Sequence, residues 1–224
     1  MGVSELKTVE TCCKCGHFQI SCVCATAVVC DEYLESPIDY TRIADYGTDP
    51  LELPTSGQFL NAAMLLLARE PNAIFLGQGV EYGGVATYQH LVDVPAEKRL
   101  EFPVAEELQL GASIGLAMDG WLPISIFPRM DFLLRAMDQL VSHLDKLSVM
   151  SRGEFNPKVI IRTRVGTKTP LDAGPQHTGR YTEAFKLMLT TVQVVEITKS
   201  EQIMPTYKAA LASSFSTIMV EALP

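Results

Sequence analysis

Residues 101–120, EFPVAEELQLGASIGLAMDG, are the most informative part of this chain. A short apolar run ends at Pro103, and a helix rich in small residues follows, with Gly111 and Gly115 on one face. This junction delivers a carboxylate, Glu106, to the first turn of the helix. Acidic residues are common at such positions, because the helix dipole favours negative charge there. Glu106 is therefore either an ordinary first-turn acid or a functional carboxylate at a strand end.

From Thr55 onward, helical spacing alternates with short apolar runs. The runs are continuous, which is typical of strands buried on both faces of a parallel sheet. This pattern predicts an α/β protein with a mostly parallel sheet and helices on both faces. Strands are expected at residues 73–76, 99–102, 122–127, 159–164, 192–197 and 217–221. Helices are expected from Thr55 or Ser56 to the stop at Glu70-Pro71, then at 88–94, 105–118, 131–147, 182–189 and 201–212, the last capped by Ser200.

The composition narrows the classes of function. A chain of 224 residues is long enough for one α/β domain with a substantial core. The net charge is −8 and the cations are scattered, so the chain is not expected to bind nucleic acid. The longest apolar stretches are too short to span a membrane, and the N-terminus lacks the apolar segment of a secretory signal. The sequence therefore predicts a cytoplasmic protein that does not insert into membranes.

All six cysteines lie between Cys12 and Cys30. Their distribution divides the chain into a Cys-rich segment at 1–30, a linker or arm at 31–55 and the α/β domain at 56–224. Without an export signal the compartment is reducing, so a disulfide framework is not expected.

The Cys-rich segment predicts a small metal site. The spacing of Cys12 and Cys15 in CCKCGH is typical of a zinc knuckle, and Cys22 and Cys24 complete a tetrahedral Cys₄ set. Cys13 or Cys30 as a substitute ligand, an iron–sulfur cluster and free thiols stay open as alternatives. A structural Zn²⁺ that stabilises this segment is the preferred interpretation.

Landmark residues at the strand ends follow one another in a fixed order. They are GQGV at 77–80, FPVAE ending at Glu106, the segment 127–132, AMDQ at 136–139 and QHT at 176–178. In this order, and on this α/β pattern, the landmarks resemble the pyrimidine-binding domain of thiamine-diphosphate enzymes. The similarity is closest to the β subunit of the E1 component of 2-oxo-acid dehydrogenases.

The resemblance implies roles for particular side chains. Glu106 would hydrogen-bond the aminopyrimidine ring of the cofactor and relay the proton that activates its thiazolium carbon, by general acid–base catalysis. Phe132, with Phe127 as the second choice, would stack on the pyrimidine ring, and core packing is the alternative for either. His177 would face the substrate and relay protons. Gln78, at a turn position where the family usually has an acid, would contact the cofactor.

The resemblance also implies a second chain. In the family, a G-D-G…N motif on a separate domain holds the diphosphate through Mg²⁺ or a similar ion, and this sequence contains no such motif. A pyrophosphate-binding, α-type subunit is therefore expected as the partner, in an α₂β₂ complex. The family continues beyond Ala222 into a linker and a C-terminal transketolase-type domain, and from the sequence as printed, to Pro224, such a domain is not expected in this chain.

The implied reaction is cleavage of a 2-oxo acid by decarboxylation, followed by transfer of the acyl group. A transketolase-like ketol transferase is one alternative, and it would need His and Arg side chains for a sugar phosphate. His177 and Arg180 are the candidates for that role. A non-catalytic assembly or regulatory paralogue is the other alternative, and the intact Glu106 argues against it.

Overall fold

The computed structural model describes residues 55–82, 86–168 and 172–223 of the chain. They form a six-stranded sheet in which neighbouring strands are all parallel, in the order β2-β1-β3-β4-β6-β5. The predicted α/β class with a parallel sheet is confirmed, and each predicted strand is present with its ends shifted by at most one residue. The strands are β1 Ala73–Gly77, β2 Arg99–Glu101, β3 Leu122–Phe127, β4 Ile160–Arg164, β5 Gln193–Ile197 and β6 Thr217–Glu221.

Helices cover both faces of the sheet. They are α1 Ser56–Ala68, α2 Ala86–Gln89, α3 Glu106–Met118, α4 Met130–Leu133, α5 Leu147–Met150, α6 Thr182–Met188 and α7 Ile203–Ala212. On one face, a buried cluster joins α3, α6 and the helical segment after β3 to Ile161 of β4 and Ile218 of β6. Side chains alternate along a strand, so Arg162 and Glu221 point to the opposite face. There Glu221 contacts Tyr207 of α7, and α7 packs against α1.

A capping box starts α1 at Thr55, one of the two residues expected to start this helix. The Thr55 hydroxyl accepts the backbone N–H of Gln58 at 3.4 Å, and the Gln58 side chain accepts the backbone N–H of Thr55 at 2.7 Å. Two of the backbone donors that a helix start leaves unpaired are satisfied in this way.

The prediction of one regular helix at 131–147 is wrong. The chain runs instead through α4, a 3₁₀ turn at Leu134–Ala136, a π-helical turn at Gln139–Leu144 and α5. The buried apolar residues are three apart at first and four apart afterwards, which fits a tightened turn followed by a widened one. These residues are Met130, Leu133, Ala136, Leu140 and Leu144.

The irregularity positions Asp145, which follows the π-helical turn. The Asp145 carboxylate is buried and accepts the backbone N–H groups of Thr190, Thr191 and Val192 at 2.9, 2.7 and 3.0 Å. Satisfying these three amides, of which the Val192 amide is buried, favours this displacement over a regular helix, because an unpaired buried donor is costly. The helix pattern is therefore overridden by hydrogen bonds to a segment about 45 residues away.

The predicted helix at 88–94 is also wrong in extent. Its α-helical part, α2, ends at Gln89, and turns with three-residue spacing follow it. The Leu91 amide donates to the Tyr88 carbonyl at 2.8 Å, and the Val94 amide donates to the Leu91 carbonyl at 3.0 Å. Pro95 follows directly, and the residue before a proline is disfavoured in a helix.

Ser200 does not cap the last helix. Ser200 starts a 3₁₀ turn, Ser200–Gln202, and its hydroxyl shares a 2.6 Å hydrogen bond with the hydroxyl of Ser56. The side chain of Gln202 instead accepts the backbone N–H groups of Thr198 and Lys199. The Ser200 hydroxyl therefore joins the start of its 3₁₀ turn to the start of α1, which carries Ser56.

Candidate functional site

The predicted site residues lie beyond the carboxyl ends of four neighbouring strands. Gln78 follows β1, Glu106 follows β2, Phe132 follows β3 and His177 follows β4. In the order β2-β1-β3-β4, these parallel strands bring the four residues to one edge of the sheet. Ligands of open parallel sheets bind at this edge.

Glu106 and Gln78 form the first pair of the site. Glu106 is the first residue of α3, and the Gln78 side-chain amide donates a long, 3.5 Å hydrogen bond to its Oε1. Both side chains are half-buried. The carboxylate thus has a neutral donor as its neighbour and lies at the positive end of a thirteen-residue helix.

The turn that carries Gln78 is held by Glu101 at the end of β2. The Glu101 carboxylate accepts the backbone N–H groups of Gly79, Val80 and Glu81 at 2.7, 2.8 and 3.0 Å. Gly77 precedes the turn, and a Cβ built there would lie 2.3 Å from the Ile126 carbonyl oxygen. Only glycine allows β1 and β3 to approach this closely.

A groove of about 570 Å³ lies along the start of α3. Such a volume suits part of a small organic molecule. Glu106 lines it, together with small and apolar residues of α3 and two polar side chains of the segment after β3. The lining residues are Val104, Ala105, Glu106, Glu107, Leu108, Gly111, Ala112, Arg135 and Gln139.

Phe132 and His177 form the second pair. Their ring centroids are 5.4 Å apart and the ring planes meet at 89°, an edge-on arrangement. The contact holds each ring in one orientation, which is the geometry that aromatic pairs prefer. Both side chains remain half-buried, so each keeps an accessible face.

Phe127 has a different environment. Its side chain is 1% exposed and belongs to the buried cluster beneath α3. Phe127 therefore packs in the core, which was the alternative to stacking on a ligand. Phe132 stays as the candidate for stacking.

Two residues that hold the strand ends together escaped the sequence analysis. Gln109, one helical turn beyond Glu106, is fully buried, and its side-chain amide donates to the hydroxyl of Ser125 at 3.1 Å and to the carbonyl of Ile126 at 3.0 Å. Its Oε1 has no hydrogen-bond partner among the described residues. Glu101, described above, is the other. The sequence did contain a signal for Gln109, namely an amide side chain on the apolar face of the helix, three residues after Glu106.

A buried polar network lies behind the site. Arg162 donates to both carboxylate oxygens of Glu221, at 2.7 and 3.1 Å, and Tyr207 donates to the same carboxylate at 2.8 Å. Burial would lower the pKa of Arg162, but the Glu221 carboxylate outweighs it and raises the pKa. Burial, and then Arg162, lower the pKa of His90 to about 4. His90 Nδ1 lies 2.8 Å from Arg162 and, with the ring neutral, accepts its N–H.

Arg180, the other sequence candidate for an anionic substrate, is already paired. Its guanidinium binds the Glu196 carboxylate, and this hydrogen bond raises the pKa of Arg180. Thr182 donates to the same carboxylate. The side chain of Arg180 thus joins the start of α6 to β5.

The described residues offer no candidate metal site. They contain no cluster of three or more His, Cys, Asp or Glu side chains that could hold an ion. The predicted zinc ligands, Cys12, Cys15, Cys22 and Cys24, lie outside the described residues, and their zinc site stays a prediction.

Comparison with known sequences gives a family match over most of the chain. A family model described as "Transketolase, pyrimidine binding domain" matches residues 53–223. The chain is 30% identical over 156 residues to the chloroplastic pyruvate dehydrogenase E1 component subunit beta-3 of Arabidopsis thaliana, covering 68% of this chain and 38% of that protein. It is 31% identical over 112 residues to the 3-methyl-2-oxobutanoate dehydrogenase subunit beta of Mycobacterium tuberculosis, covering 48% and 32%. The chain thus spans well under half the length of these relatives.

Comparison with solved structures supports the same fold. A split-gene transketolase, solved as an inactive β₄ tetramer, has a TM-score of 0.56 at 15% identity and covers 75% of this chain and 50% of its own. The transketolase of Campylobacter jejuni has a TM-score of 0.57 at 14% identity and covers 82% and 28%. In the part of the chain that the structure describes, no helix has the length and apolarity needed to cross a membrane.

Proposed function

Because the chain belongs to the family of transketolase pyrimidine-binding domains, we propose that it is the β-type subunit of a split thiamine-diphosphate enzyme that cleaves a 2-oxo acid and transfers the acyl group. The observation that carries this proposal is the position of Glu106. Its carboxylate lies at the start of α3, in the groove at the carboxyl edge of the sheet, with Gln78 as a neutral neighbour.

The described residues fit the pyrimidine half of the cofactor. The groove combines one carboxylate with small side chains, Gly111 and Ala112, that leave room for a flat ring. The half-buried ring of Phe132 offers an aromatic surface at the same edge, held by His177. When bound, thiamine diphosphate supplies the carbon nucleophile that attacks 2-oxo acids.

Glu106 has a defined chemical task in this proposal. Its Oε atoms hold or release a proton toward a ring nitrogen of the bound pyrimidine, and general acid–base catalysis of this kind contributes about 10²–10⁴-fold in rate. Gln78 donates a neutral hydrogen bond to one of these oxygens and so orients the carboxylate. Gln109 holds the ends of β1 and β3 beneath α3, and thereby holds the helix start in position.

His177 is proposed to serve the substrate. Its ring is half-buried at the same sheet edge, and the edge-on contact with Phe132 fixes its orientation. An imidazole can donate or accept a proton near neutral pH. In that position it would hydrogen-bond the substrate and move protons during the cleavage and transfer steps.

The partner is proposed to be a pyrophosphate-binding, α-type subunit in an α₂β₂ complex. It would hold the diphosphate and Mg²⁺. Two large apolar side chains beside Glu106 are strongly exposed, Val104 at 80% and Leu108 at 60%. An apolar rim around a functional groove is typical of a surface that another chain covers. Relatives named as β subunits, and the split-gene transketolase, support a heteromeric assembly.

The ketol-transferase alternative has weaker support. It relied on His177 and Arg180 to bind a sugar phosphate, and Arg180 is engaged by Glu196. The alternative of a non-catalytic paralogue predicts no turnover in the assembled complex, and the assay below tests this.

The test is to purify the tagged chain with its partner from the native host and to assay 2-oxo acid decarboxylation with added thiamine diphosphate and Mg²⁺. Glu106→Gln should abolish turnover while the complex still assembles. Glu154→Gln is the control, since this acid is exposed, lies outside the groove and should be dispensable.

Calorimetry on the chain alone provides a second measurement. We expect weak binding of thiamine diphosphate by the isolated chain and tight, Mg²⁺-dependent binding by the complex. Turnover retained above a few per cent in the Glu106→Gln complex would refute the catalytic role, and tight binding by the chain alone would refute the split site.

A further inference from the structure

Three guanidinium groups gather at the carboxyl ends of β3 and β4. Arg162 and Arg164 are two residues apart on β4 and therefore lie on the same face of the sheet. Arg129 lies just beyond the end of the neighbouring strand, β3.

Arg129 is also close to the loop that carries His177. A Cβ built on Gly166 would lie 3.5 Å from Arg129 Nε and would overlap the backbone carbonyl of His177. The Arg129 side chain and the His177 backbone therefore meet at Gly166. This places the Arg129 side chain beside the loop that carries the imidazole proposed to serve the substrate.

The charges of this cluster are not balanced. Glu221 accepts both hydrogen bonds described above from Arg162, and one Arg162 nitrogen, Nη1, is buried with no partner among the described residues. Across the same described residues, neither Arg129 nor Arg164 has an ion pair or a side-chain hydrogen bond. His90 adds no charge near neutral pH, because burial and Arg162 lower its pKa to about 4.

The two free guanidinium groups repel each other. Arg129 and Arg164 are both half-buried. Burial, and then the charge of Arg129, lower the pKa of Arg164, and Glu221 offsets this only in part. Like charges held together away from bulk water are unfavourable unless an anion joins them. A cluster of this kind is therefore suited to receive one.

We propose that Arg129 and Arg164 bind an anionic group of the substrate, a carboxylate or a phosphate, beside His177. This inference rests on the proposed function, because it assigns the ligand to the substrate of that site. The planar guanidinium fork matches carboxylate and phosphate oxygens, and two such groups favour a doubly anchored anion. The substrate class is thus a 2-oxo compound with a second anionic group, and not one with an apolar side chain.

The test uses the full chain, without thiamine diphosphate and without a partner, so that it does not depend on catalysis. The probes are inorganic phosphate and glutarate, with butyrate as an apolar monocarboxylate. Binding is measured by calorimetry at low salt and again at high salt, because exposed charge interactions are screened by salt. We expect phosphate or glutarate to bind and butyrate not to bind, and the stronger of the two probes identifies the anionic group.

Substitutions connect the binding to the two residues. Arg129→Gln and Arg164→Gln should each weaken binding by about tenfold or more, as expected when a charge-assisted hydrogen bond is lost. Arg129→Lys and Arg164→Lys keep a charge and should retain part of the affinity for the anion. They replace the Gln variants in the test if a Gln variant fails to fold. Arg69→Gln, an exposed cation before β1 at the opposite edge, is the matched control and should bind as the unmodified chain does.

The two proposals fail separately. If neither phosphate nor glutarate binds, or if binding is unchanged in all four Arg129 and Arg164 variants, the anion site is overturned whatever the activity of the complex. If Glu106→Gln leaves turnover intact while the anion binding persists, the proposed function fails and the anion site stands. Glu106→Gln is expected to bind phosphate or glutarate as the unmodified chain does.

Discussion

The side-chain amide of Gln78 lies 3.5 Å from Oε1 of Glu106 and joins the turn after β1 to the first residue of α3. The resemblance to E1 β subunits leads one to expect an acid at the turn position that Gln78 occupies. Because Gln78 is a neutral donor, the Glu106 carboxylate carries the only charge in this pair. The three backbone hydrogen bonds from the turn to Glu101 keep Gln78 at this distance.

Replacing Gln78 by Glu tests this relationship. The change puts a second carboxylate within hydrogen-bond reach of Glu106, and like charges raise the pKa of the pair. In the assembled complex, the acidic limb of the pH–activity profile should move to higher pH by about one unit. Gln89→Glu adds the same charge on the exposed end of α2 and is the control. A profile that does not move would mean that a carboxylate at position 78 does not interact with Glu106 in the assembled complex.

The edge-on pair of Phe132 and His177 allows packing and chemistry to be separated. His177→Phe keeps a ring against Phe132 and removes the groups that exchange protons. We expect unchanged thermal unfolding of the chain and a fall in kcat of the complex by about 10²-fold or more. The same change at His143, whose side chain is 53% exposed, is the control. Wild-type turnover in the His177→Phe complex would exclude a chemical role for the imidazole.

The fold was predictable because its signal is local. The buried strands β1 and β3 are mostly apolar runs, and the start of α1 carries its own pattern, Thr55 with Gln58. The site was predictable in outline, since Glu106, Phe132 and His177 follow successive strands and a parallel sheet brings strand ends to one edge.

The rest depends on contacts between distant segments. The break in the helix after β3 comes from the hydrogen bonds of Asp145 to residues 190–192, which no pattern within the helix reveals. The meeting of Arg129 with the His177 loop likewise arises from the pairing of β3 with β4. Gln109 was recognisable only as an amide in an apolar helix face, and its three acceptors lie on two strands.

Asp145 should determine much of the stability of the segment after β3. Burial alone would raise its pKa, but hydrogen bonds from Lys146 and from the amides of Val192 and Thr191 outweigh this and hold the pKa well below its usual value. Asp145→Ala leaves these three amides, one of them buried, without their acceptor and should lower the free energy of unfolding by about 3 kcal/mol at pH 7.

The dependence on pH adds a second readout at Asp145. A carboxyl group with a lowered pKa in the folded chain stabilises above its unfolded pKa, about 3.9, and this contribution is lost as the pH falls below that value. Urea unfolding at pH 7 and at pH 3 should therefore show the gap between the unmodified chain and Asp145→Ala narrowing in acid. Asp138→Ala, on the same segment and 63% exposed, is the control and should behave as the unmodified chain does. A gap that stays constant would contradict the role of the charge.

His90 should make the chain less stable in mild acid. Its pKa falls to about 4 in the folded chain, because of burial and of the neighbouring Arg162 and Arg164, whereas an unfolded histidine titrates near 6.5. Between these values the unfolded chain binds a proton that the folded chain does not, so stability declines as the pH falls from about 6.5 to about 4. The slope due to this one group is at most about 1.4 kcal/mol per pH unit.

His90→Gln tests this, because its amide oxygen can still accept the N–H of Arg162 but does not titrate. Urea unfolding at pH 7, 6 and 5 should give a shallower decline for His90→Gln than for the unmodified chain. His143→Gln controls for the loss of one histidine. Parallel stability curves for the unmodified chain and His90→Gln would show that His90 takes up its proton equally in both states. The hydrogen bond to Arg162 would then not require a neutral ring.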